Sequence, residues 1–138
     1  MEYIVVLHSL WRWVVLILMG LAILKALLGW FGKQPWQNLD DRIGLFFTSA
    51  LDLQVLLGII LYIGVLVGAY FPKTSIIRVS FEHVLMMFIA LAIVHVIRSR
   101  AKKTEGDLAK HRLTAIGYII ALVIVIVAIP VWSWGFTF

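Results

Sequence analysis

Apolar residues run along this chain in four long blocks, at about 3–31, 43–70, 76–98 and 112–134. Each block exceeds the ~20 residues that cross ~30 Å of hydrocarbon at 1.5 Å per residue. Backbone groups inside lipid must bond within their own segment, so each block predicts a helix rather than an open strand. The polar segments between them are short: GKQPWQNLDDR at 32–42, YFPKTS at 70–75 and SRAKKTEGDLAKH at 99–111. The first holds a glycine, a proline and an Asn-Leu-Asp cap signal for the next helix. Short connections set consecutive helices antiparallel. The expectation is an all-α, integral membrane up-down four-helix bundle, one domain over residues 1–138.

Composition strengthens that reading. Of 138 residues, 63% are apolar, against about 45–50% in ordinary soluble domains, and the mean hydropathy is +1.04. A soluble domain of this size could not hide so much apolar surface. Without cysteine, disulfides, thiolate metal sites and a thiol nucleophile are excluded. The first block is too long and too rich in tryptophan for a cleaved signal and is expected to stay as an anchor.

The net charge of +5 matters less than its placement. Arg98, Arg100, Lys102, Lys103, Lys110 and Arg112 cluster in 98–112. Nucleic acid is one conceivable partner for such a run, but a loop obeying the positive-inside rule explains it without one. The second loop carries only Lys73 and Arg78, and no basic side chain precedes Arg12. These asymmetries predict that both termini face the outside (periplasm), with the 98–112 loop in the cytoplasm. The aromatic run VWSWGF at 131–136 suits the outer interfacial belt; Trp30 and Trp36 suit the inner one.

Ionisable groups inside a bilayer cost on the order of 3 kcal/mol each and are functional candidates. Seven stand out: His8, Arg12, Asp52, Glu82, His83, His95 and His111. Counting along the helices sorts the histidines into an outer pair, His8 with His83, and an inner pair, His95 with His111. Two such pairs would suit two b-type haems, each held by imidazoles from facing helices. His83 and His95 are separated by roughly 18 Å of rise, fit for passing electrons across the bilayer, but by about 120° around the helix. The two sites would therefore use different neighbours. Arg12, one turn from His8 on the same face, lies at a depth where Asp52 or Glu82 could pair with it. It could equally hold a haem propionate or a quinone carbonyl, with Asp52 or Glu82 passing protons. Adjacent Glu82 and His83 cannot both face one narrow seam.

Plainer readings compete. His111 in KHR and His95 near Arg98 both suit an interface with water. An Arg12 ion pair can simply lock helices together. Gln54 suits interhelical hydrogen bonding, Gly58, Gly64 and Gly68 suit close packing, Met86 and Met87 suit a core, and Lys25 can snorkel to the inner face. No P-loop, dinucleotide fingerprint, HExxH or nucleophile elbow is present, so nucleotide-dependent and hydrolytic chemistry have no support.

The segments HSLWRW, DLQVLLGIILY, FEHVLMM and KHR resemble a bacterial family of short four-span proteins labelled cytochrome b-like, over most of the chain. The resemblance implies haem b and electron transfer with membrane quinones. In that family the position of Asp52 is often a histidine, in a pattern HLQLLIG, and this chain departs there. The leading expectation is a b-type cytochrome with one or two haems ligated by His8 and His83, and by His95 and His111, with Arg12 balancing propionate charge. It would relay electrons between quinol and a larger membrane redox complex, alone or as a homo-oligomer. The alternative is a haem-free accessory subunit of a respiratory or photosynthetic complex. A proton-coupled transporter using Asp52 and Arg12 ranks third, since the chain lacks the repeat pairs usual in transporters.

Overall fold

The computed structural model describes residues 2–68 and 74–130, with side chains from 79 onward in the second segment. Four helices make up the described chain: α1 (Glu2–Phe31), α2 (Asn38–Leu66), α3 (Thr74–Lys103) and α4 (Asp107–Ala128). All four contain a stretch long and apolar enough to cross a membrane.

Local chemistry sets the helix ends. The chain leaves α1 through Gly32, whose N–H donates to the Leu28 carbonyl at 2.9 Å. Lys33 follows in the left-handed region at φ 49°, and Pro35 prevents the helix from resuming at once. At the start of α2, the Asp40 carboxylate accepts the backbone N–H of Gln37 at 2.8 Å, and Asp40 and Asp41 place negative charge against the positive helix end. The cap therefore sits at Gln37, one residue before the Asn-Leu-Asp signal, and α2 begins five residues ahead of the expected apolar boundary. Between α3 and α4 only residues 104–106 are non-helical, and Gly106 turns the chain at φ 88°. Arg100, Lys102 and Lys103 close α3 with the favourable sign for its C-terminus.

The expected polar loop at 99–111 is thus mostly helix. Hydropathy marks where lipid ends, whereas hydrogen-bonded turns continue past that level into water. The expected turn at 70–75 and the aromatic run at 131–136 fall largely or wholly outside the described residues.

Consecutive helices pack on one another, and α4 closes the ring against α1. Among the described residues the diagonal pairs meet through side chains rather than close backbone approach, Phe47 of α2 against Tyr118 of α4 with ring centroids 5.1 Å apart. The core holds Met19, Phe47, Leu51, Val94 and Tyr118, with Ala22, Ala26, Ala50, Ala90, Ala101, Ala115 and Ala121 buried between the helices. Small residues let backbones approach closely where no hydrophobic drive separates core from lipid. The outward faces are apolar as well: Ile17, Leu24, Leu28, Phe46, Leu56, Leu66 and Val123 are each more than half exposed. A bundle greasy on both faces belongs in a bilayer.

Candidate functional site

At the end of the bundle where α1 begins, the rings of His8 and His83 meet across the diagonal, with centroids 6.4 Å apart and planes at 81°. Each ring is held from a different side. His83 Nδ1–H donates to the Ala128 carbonyl of α4 at 2.8 Å, where the helix end leaves carbonyls without intrahelical donors. That bond fixes the tautomer and leaves Nε2 with its lone pair available. The Gln54 side-chain amide donates to the His8 carbonyl at 3.1 Å and lies 3.3 Å from His8 Nε2. A donor there assigns the His8 proton to Nδ1, which has no hydrogen-bond partner among the described residues; nor has Gln54 Oε1. Gly58 supplies clearance, since a Cβ there would approach His8 Cε1 to 3.3 Å. Val55, Ile59, Val84 and Met87 complete a cavity of about 20 Å³, room for a single water.

Arg12 is half-buried one turn along α1, its guanidinium carbon 5.6 Å from the Trp13 ring centroid. Asp52, one of the two counter-ions that the depth of Arg12 allowed, is paired elsewhere. Asp52 instead accepts from His95 Nε2 at 2.7 Å, and both side chains are about half exposed, at 50% and 49%. Asp52 is the central residue of the 29-residue α2, so this pair looks outward between α2 and α3 near the middle of the span. Glu82 is exposed on α3, turned from the seam that His83 enters, as adjacent helical positions require.

His95 and His111 do not form the expected inner pair. His95 is committed to Asp52 on the outer surface. His111 is fully buried, pressed against the backbone of α1 at Gly29 and 4.9 Å from the Trp36 ring. Neither of its ring nitrogens has a partner among the described residues. The twist of α3 separates His83 from His95 in azimuth, and the early start of α4 carries His111 into the bundle rather than to its rim.

The basic end holds a second polar network. Lys25 does not snorkel outward: its Nζ pairs with Asp40 at 2.9 Å, with side chains 22% and 3% exposed. Arg98, expected at the end of the third helix in the basic cluster, reaches into the bundle and donates to Thr48 Oγ1 at 2.9 Å. Thr48 in turn donates to the Gly44 carbonyl at 2.8 Å. Tyr118 and Thr114 face the same small cavity, of about 30 Å³. No group of three or more metal-ligating side chains occurs among the described residues.

Comparison with family models, curated proteins and solved structures finds no match. Fold and site therefore define a class: an all-α, multi-pass membrane bundle of four helices with two imidazoles joined across its core.

Proposed function

We propose that this chain is a membrane-embedded b-type cytochrome with one haem-binding end, where His8 and His83 would hold the iron. The observation that carries the reading is the 6.4 Å spacing of those two rings across the diagonal. Two imidazoles on one metal, each nitrogen about 2 Å from it, hold their centroids about 6 Å apart. The His83–Ala128 bond supports it, because ligating histidines commonly donate their other ring N–H to a carbonyl. The donor set fits; the enclosed space is that of one water. Seating a macrocycle requires α2 and α3 to part beside Gly58 and Val84, and His8 Nε2 to leave Gln54. Bound haem b supplies one-electron redox chemistry.

A lipid-soluble quinol is the proposed electron donor, and a larger redox complex the acceptor. The half-exposed His95–Asp52 pair supports the quinol: with Nε2–H given to the carboxylate, His95 Nδ1 can accept a hydroxyl from the bilayer side. The proposed setting is the bacterial cytoplasmic membrane. The same exposed pair favours a second reading, an accessory subunit whose α2–α3 face is covered by another protein, since polar groups facing lipid at mid-span are costly.

A reduced-minus-oxidised spectrum of the full chain, purified after expression with added haem, tests the first reading. Haem b bands are expected, with one haem per chain. His83→Ala should abolish them while circular dichroism shows the helices intact. A colourless wild-type protein, or unchanged bands in His83→Ala, rejects the assignment.

A further inference from the structure

We infer that the groove between the start of α2 and the end of α3 binds the phosphate of an anionic phospholipid. Arg42, Arg98, Lys102 and Lys110 line this groove of about 460 Å³ together with Leu45, and Asp41 is its single carboxylate. Four cations facing one anion leave a concentrated positive field that an anionic headgroup neutralises. Asp41 is itself engaged, accepting from Trp36 Nε1 at 3.1 Å. Asp40, next to it, is occupied by Lys25. Asp41 keeps its negative charge, so the groove's four cations exceed its carboxylate by three.

Two further features single out a lipid. Arg98 is half-buried and pinned by its bond from Nη1 to Thr48, so its planar guanidinium is held in place rather than waving in water. A fixed guanidinium suits the paired oxygens of a phosphate. Leu45 gives the groove an apolar wall, and the outward faces of α2 and α3 flanking it are apolar too. Leu45 lines it at 48% exposure, Phe46 beside it is 63% exposed, and Val96 on α3 is 50% exposed. Cations beside an apolar wall and apolar flanking helix faces match a phosphate that carries acyl chains. A free phosphate ion would have no use for the apolar margin.

The test uses the full chain in a non-ionic detergent, with native mass spectrometry to count retained lipid. Phosphatidylglycerol is expected to stay bound in preference to phosphatidylcholine, and millimolar inorganic phosphate is expected not to displace it. Arg42 and Lys102 are exposed, so Arg42→Gln with Lys102→Gln spares the Arg98–Thr48 bond and the fold. Each cation removed should weaken the preference about fivefold. Lys103→Gln, at the same end but outside the groove, should leave it unchanged. Equal retention of the two lipids, displacement by phosphate, an unaltered double variant, or an equal loss in Lys103→Gln would each overturn the inference.

Discussion

Gly29 shows how one absent methyl group decides a helix contact. A Cβ there would overlap the His111 ring, whereas a Cβ at Gly20 meets nothing within 4 Å. Gly29→Ala should therefore destabilise the bundle by about 2 kcal/mol through overpacking. Gly20→Ala should be neutral or stabilising by up to about 1 kcal/mol from helix propensity alone. Thermal unfolding of both variants in detergent gives the comparison. Lys25 makes a complementary case. Lys25→Met strands a carboxylate with a side chain 3% exposed, and a loss of about 3 kcal/mol is expected; adding Asp40→Leu should recover part of it, less the lost cap on Gln37. The sequence placed Lys25 near the inner face and suggested snorkelling, but it showed nothing of azimuth, which turns the side chain inward to Asp40. Depth counting also brought His8 level with His83. It did not single out the partner of Asp52: His95, not Arg12, meets that carboxylate.

The helices themselves were readable from apolar blocks, because each must bury or immerse a bilayer's length of side chains. Their ends were not. Residues 99–103 and 107–111 are polar yet helical, stabilised by the cations closing α3 and by Asp107 opening α4. The seam between α2 and α3 carries the one polar pair exposed at mid-span among the ion pairs described, His95 with Asp52. If lipid contacts that seam, Asp52→Leu alone should lower stability by about 1–3 kcal/mol, because it leaves an imidazole without its acceptor. Replacing both residues by leucine should restore the wild-type melting temperature or exceed it. If another protein covers the seam, the double variant should instead lose that partner on co-purification.

The whole molecule has one basic end, where α3 meets α4, and one end with few charges. The positive-inside rule predicts that the basic end faces the cytoplasm. Because the chain has no cysteine, a single introduced thiol reports its own side. A membrane-impermeant maleimide should label Tyr3→Cys on intact cells and Lys103→Cys only after lysis; the opposite pattern reverses the topology. The end that carries the histidine pair has a further consequence. His8 belongs to α1, Gln54 to α2, His83 to α3, and the Ala128 carbonyl to α4, so every helix holds one of these few groups. Across a diagonal where the two backbones stay apart, two rings act as the spacer that sets the girth of this end. Widening the gap between them pushes outward on the whole circumference at once, and the surrounding lipid would feel a change made at a single pair of side chains.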